Sequence, residues 1–143
     1  MSESVYLNLY AVDFRSWPSI AIALATRSIY THSAIQIGDQ VFDASGSRNT
    51  VGWEKASIYQ KRASRKIPLA VPEEKARRFL ENYNNTKYDH KALKLWVFAK
   101  QDESKVYCFE LCWMFLESHM LLNLQAPIRL KRYTARKLLK YLG

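Results

Sequence analysis

The side chains best suited to covalent chemistry are two cysteines four positions apart, Cys108 and Cys112, in the apolar stretch KVYCFELCWMFLES. A thiol can be a nucleophile, a metal ligand, half of a disulfide or a small buried hydrophobe. Both cysteines read as lying on one helix, where residues i and i+4 have Cβ atoms ~5–6 Å apart. A disulfide needs a Cβ separation of ~3.8 Å, so a Cys108–Cys112 bridge is not expected. Structural zinc sites draw ligand pairs from both halves of the site. Here no second Cys or His pair exists, and His32, His90 and His119 are isolated from one another. There is no HExxH, no phosphate-binding glycine loop and no GxGxxG, so neither a metal nor a cofactor is expected. His119 lies on the same helical stripe as Cys108, but a rise of ~1.5 Å per residue puts it ~16 Å away. It reads as a helix-end residue facing carbonyls or solvent.

Position separates the two thiols. A helix that begins near Cys108 places that sulfur beside unsatisfied N–H groups at the positive end of the helix dipole, a setting that favours thiolate. Cys112, one turn inside and flanked by Leu111, Trp113 and Phe115, reads as core. A reactive thiol also needs a base. THSAIQIGDQVFDAS (31–45) has the form of a hairpin around Gly38-Asp39. In that register Ile37 pairs with Gln40, Ala34 with Asp43 and His32 with Ser45. His32, Ala34, Asp43 and Ser45 then share one face, and Ile35, Ile37 and Phe42 the other. His32 and Asp43 become diagonal neighbours, and a carboxylate there can fix the imidazole tautomer. From the residues alone the plainer assignments stay open: Cys108 as a packed thiol, His32 as a strand residue bonded to backbone, Asp43 as a solvated turn-end acid.

The other elements must position these groups. SVYLNLYAV (4–12) alternates as a strand does, and RKIPLA (65–70) reads as an edge strand because Pro68 cannot donate to a ladder. Helices are expected over 16–28, with Ser16 as cap and Pro18 in the first turn, over 72–84, over 90–100, and from about Cys108 to Leu122. Thr134 caps a last, basic helix. Strands come mostly early and helices mostly late, which predicts an α+β fold, and 143 residues suit one domain spanning 1–143.

Three segments together resemble one group of enzymes. IYTHSAIQIGDQVFDAS is similar to its His-bearing hairpin, TKYDHKALKLW to the intervening Tyr-Asp segment, and VYCFELCWMFL to its Cys-bearing helix. The group is the circularly permuted NlpC-type, papain-like hydrolases, comprising the YiiX-like and lecithin:retinol acyltransferase-like proteins, in which the His strand precedes the Cys helix. The resemblance runs loosely from about Arg27 to Pro127. It implies a small antiparallel sheet packed against the N-terminus of the Cys helix, with Cys108 as nucleophile, His32 as general base and Asp43 as the polar third residue. Glu110 matches an acid two positions after the family's Cys, a structural position. The chain departs from the family at Phe109, where a small Ser is common, and in having AVDFRSW where a Gly-Asp opening precedes the first helix. The implied chemistry is cleavage of an amide, isopeptide, ester or thioester in an acyl or peptide-type substrate or a protein substrate, with peptide, isopeptide or cell-wall peptide cleavage ahead of lipid acyl transfer. Tyr6, Tyr10, Trp53 and Tyr88 are candidates for lining the cleft.

Charge suggests a rival function. Lys and Arg number 22 against 13 acids, for a net charge of +9, and no Asp or Glu follows Glu117. The segment RLKRYTARKLLKYL could engage nucleic acid or an anionic membrane surface without chemistry. No apolar run approaches the ~20 residues of a membrane span. The opening MSESVYLNLY has no basic, apolar leader pattern, so a cytoplasmic protein is expected, with delivery into a host or target cell open.

Overall fold

The computed structural model describes residues 3–13, 15, 20, 23–24, 28–45, 50–84, 87–88, 105–106, 108–124 and 134–142. Among them are seven strands: β1 (Val5–Ala11), β2 (Tyr30–Ile37), β3 (Gln40–Ser45), β4 (Thr50–Lys55), β5 (Ser64–Leu69), β6 (Lys87–Tyr88) and β7 (Lys105–Val106). The α-helices are α1 (Glu73–Glu81), α2 (Cys108–Ser118) and α3 (Ala135–Tyr141). The architecture is α+β. One sheet has the order β5-β1-β2-β3-β4-β6-β7, antiparallel except for the two-residue β6–β7 pair.

The alternation of β1 and the hairpin makes two unlike faces. Val5, Leu7, Leu9, Ile35, Ile37, Phe42, Ala44 and Val51 join the main core with the apolar residues of α2. Tyr10, Ala34 and Val41 form a second, smaller cluster on the opposite face, against Ala56 and Tyr59 of the 3-10 turn Ala56–Tyr59. The β2–β3 turn places Gly38 at φ 63, left-handed backbone that glycine adopts at no steric cost. The register Ile37–Gln40, Gln36–Val41, Ile35–Phe42 is the one expected from a Gly38-Asp39 turn. β5 lies at the sheet edge, where Pro68 pairs opposite Tyr6 without a missing donor on a central strand.

β4 was not legible as a strand. TVGWEK sets Thr50, Val51 and Trp53 among Gly52, Glu54 and Lys55, which strands disfavour, and its place comes from pairing with β3 along its full length. α2 is apolar nearly all round, burying Cys108, Phe109, Leu111, Cys112, Trp113, Phe115 and Leu116, as a helix enclosed on most sides should. It stops at Ser118, four residues before the expected Leu122. Leu121 N–H reaches Leu116 O at 2.9 Å and Met120 N–H reaches Glu117 O at 3.1 Å, with Met120 at φ 58. This is a Schellman-type ending built on a residue other than glycine, so the usual sequence signal was absent. α1 begins after Pro72 with Glu73 and Glu74 in its first turn. Thr134 caps α3 as expected, its hydroxyl accepting from Lys137 N–H at 3.3 Å. The helix expected over 16–28 falls largely outside the described residues, and that over 90–100 entirely so. Among the described residues no helix is long and apolar enough to cross a membrane.

Phe115 is wholly buried and packs edge-on against Phe79, with ring centroids 5.6 Å apart. Phe115→Ala should lower unfolding stability by about 3–5 kcal/mol in urea titrations. Ile58→Ala, at a side chain 54% exposed, should stay within about 0.5 kcal/mol.

Candidate active site

The sheet splits where the hairpin ends. β2 and β3 pair with each other only as far as Ile35–Phe42. Beyond that point β2 stays with β1, through Tyr10–His32, and β3 stays with β4, through Asp43–Gly52 and Ala44–Val51. The expected pairs Ala34–Asp43 and His32–Ser45 therefore do not form, because each strand follows its other neighbour. α2 packs on both β2 and β3. The split lets a residue on the helical side meet residues on the opposite face.

His32 and Asp43 do meet. His32 Nε2 lies 2.8 Å from Asp43 Oδ2, although the strands bearing them have parted. Asp43 is fully buried and the His32 side chain is 14% exposed. Tyr59 closes the triangle: its hydroxyl donates to Asp43 Oδ2 and lies 3.0 Å from His32 Nε2. With a carboxylate as acceptor, Nε2 carries the proton, which leaves Nδ1 as the nitrogen free for another partner. The thiol of Cys108, the first residue of α2, also interacts with the ring. The imidazole is walled by Tyr10, at 5.9 Å between centroids, and by Tyr59, at 5.2 Å.

Electrostatics distinguish the groups. Burial on its own pulls the His32 pKa down, but the charge of a Cys108 thiolate and the hydrogen bond and charge of Asp43 outweigh it. The result is a pKa raised from 6.5 to about 9. His32 is thus an imidazolium at neutral pH when its two anionic partners are ionised. Burial pushes the Cys112 thiol up, the Ser33 hydroxyl pulls the other way, and the neighbouring Cys108 and Asp43 charges add to the rise. Cys112 therefore stays a thiol. Burial and then the Asp43 charge raise the Tyr59 hydroxyl far above the usual phenol range, so Tyr59 is a fixed donor.

The two cysteines are free and buried, with no disulfide between them. His119 donates from Nδ1 to Phe115 O at 2.8 Å, facing a helix carbonyl as expected. Glu110 is buried in the first turn of α2. The aromatic candidates scatter. Tyr10 is buried and supports the imidazole instead of lining an open cleft. Tyr6 lies far along β1, opposite Gln36, beneath the Lys66 ammonium. Trp53 packs against Phe42 on the main-core side and donates to Glu81 at 2.8 Å. Neither is brought to His32. The side chain of Tyr88 and that of Ser45 lie outside the described residues.

Tyr59 carried no sequence signal. It sits 16 positions after Asp43 in a short 3-10 turn, and only folding of that turn onto the sheet brings it in. Among the described residues no group of three or more His, Cys, Asp or Glu side chains is arranged to hold a metal ion. The chain matches no family model, no curated protein and no solved structure, so the site's own geometry carries the functional argument.

A raised His pKa contributes stability that is fully present below the unfolded value of 6.5 and is lost as pH rises through about 9. The stability difference between the parent protein and His32→Gln should therefore shrink across that window, by up to about 3 kcal/mol. Urea titrations at pH 6.5 and 9.5 check it; a difference independent of pH contradicts it.

Proposed function

We propose that the chain is a cysteine hydrolase of the papain-like, permuted NlpC type, acting on an amide, isopeptide, ester or thioester through Cys108, His32 and Asp43. The observation that carries this reading is the buried Asp43–His32 pair, 2.8 Å apart, with the Cys108 thiol at the same imidazole and at the start of a helix. Burying a carboxylate is costly unless it is paired. Here the pair also charges an imidazole beside the thiol most exposed to the helix dipole.

The chemistry follows from the protonation states. The Cys108 thiolate attacks the carbonyl carbon; a C–S bond forms and the carbonyl π pair moves to oxygen. N–H groups in the first turn of α2, including that of Cys108, are suited to hold this oxyanion, a donor typically worth ~3 kcal/mol. His32 then acts as acid, passing its Nδ1 proton to the leaving nitrogen, oxygen or sulfur as that bond breaks. The neutral imidazole takes a proton from water, whose oxygen attacks the thioester, and Cys108 is released as thiolate. Asp43 holds Nε2–H throughout, keeping Nδ1 toward the sulfur. Peptide or amide substrates fit an imidazolium acid best, because an amine leaving group requires a proton.

One feature favours an additional anionic contact. α3 buries Ala135 and Leu138 and leaves Arg136 and Lys140 exposed, so two of the basic residues of that segment face solvent, while Arg129, Lys131 and Arg132 lie outside the described residues. An anionic partner held there would bind in a salt-dependent way, alongside catalysis or in its absence.

Iodoacetamide should alkylate Cys108 stoichiometrically, as located by peptide mapping, and at pH 7 at least about tenfold faster than an ordinary thiol. His32→Ala should abolish the acceleration, and Cys108→Ala the labelling, without loss of fold by circular dichroism. Labelling confined to Cys112, or an unaccelerated Cys108, rejects the hydrolase and leaves the basic face as the functional surface.

A further inference from the structure

We propose that Tyr59 is a positioning residue that sets the pH range of the Cys108–His32 pair by donating to Asp43; this rests on the hydrolase reading above. Asp43 is completely buried, and two donors converge on one of its oxygens, His32 Nε2 at 2.8 Å and the Tyr59 hydroxyl. A donor to the ionised form of a buried carboxylate favours that form. The phenol cannot act in the reverse sense, because burial and the Asp43 charge keep its proton in place.

The segment that carries Tyr59 is held as a built part of the site. Ala56 N–H bonds Asp39 O at 2.8 Å, Arg62 N–H bonds Tyr59 O at 3.0 Å, and Ala11 N–H bonds Ala63 O at 2.8 Å. Arg62 also reaches back to β1 and β2. Its Nη2 donates to Ala11 O at 2.6 Å and to Thr31 Oγ1 at 3.0 Å. Those contacts fall where the β1–β2 register shifts, between Tyr10 and Ala11. The same guanidinium stands 5.8 Å from the Tyr10 ring centre and 5.9 Å from that of Tyr59, and the two rings stack at 4.3 Å. The phenol is thus clamped by backbone on both sides and by an aromatic neighbour, with its hydroxyl aimed at Asp43.

The consequence is specific to the acid side of the pH profile. Without the Tyr59 donor, the buried carboxylate takes up a proton at higher pH. It then no longer supports the imidazolium that faces the Cys108 sulfur. Tyr59→Phe keeps the ring and its stack on Tyr10 while removing only the donor.

The test is the pH dependence of Cys108 alkylation by iodoacetamide, from pH 4 to 9, in the parent, Tyr59→Phe, Asp43→Asn and the double variant, with folding followed by circular dichroism. The expected result is an acid limb moved to higher pH in Tyr59→Phe, with a rate about tenfold lower near pH 6 and an unchanged alkaline plateau. In the Asp43→Asn background, Tyr59→Phe should produce no further shift, because its effect passes through the carboxylate. An unmoved acid limb, a limb moved to lower pH, or a shift that persists in Asp43→Asn overturns the role of Tyr59. These outcomes are separate from failure of the hydrolase reading, which would appear in the parent protein as a Cys108 without His32-dependent acceleration.

Discussion

A carboxylate with no exposure to solvent is the constraint around which the site is arranged. Asp43 sits between two residues of the main core, Phe42 and Ala44, but points to the other face of β3. An ionised carboxylate in that position is tolerable only with strong donors. His32 and Tyr59 supply them, from a different strand and from the 3-10 turn. Once His32 is bound through Nε2, its tautomer and ring orientation follow, and the remaining nitrogen is available to a group on the helical side. The Tyr10–Tyr59 stack and the Arg62 clamp are the packing that keeps these donors in place.

The second requirement is that the sheet should open. A continuous β2–β3 ladder would keep His32 and Asp43 on a face that α2 cannot reach, since α2 packs on the side of Ile35, Phe42 and Ala44. The loss of pairing beyond Ile35–Phe42, with β2 retained by β1 and β3 by β4, brings the two faces together at the start of α2. The cysteines differ for the same reason. Cys108 is at that junction, with the His32 imidazole as neighbour. Cys112 is one turn deeper, where burial dominates. Four positions along one helix are enough to separate a thiol beside the imidazole from one held in the core.

The hairpin was legible in the sequence because a Gly-Asp turn fixes register and a period of two fixes faces. Those local rules put His32 and Asp43 on the same side. The edge position of β5, the capping of α3 by Thr134 and the backbone contact of His119 were legible for similar local reasons. β4 and the early end of α2 were not. The first is stabilised by its partner strand more than by its own composition, and the second uses a left-handed Met120 where sequence rules look for glycine.

The sequence by itself determined the α+β order of elements, the hairpin register beside the Gly38-Asp39 turn, and which cysteine begins the helix, because each depends on contacts between near neighbours. Tertiary structure decided that β2 and β3 part, that the Cys108 thiol shares an imidazole with Asp43, and that Tyr59 completes the triangle. It also removed Tyr6 and Trp53 from the neighbourhood of His32. Those outcomes depend on which strand wins a shared neighbour and on where a short 3-10 turn docks. Both are settled by burial and pairing across distant parts of the chain, and neither leaves a periodic or local trace in the sequence.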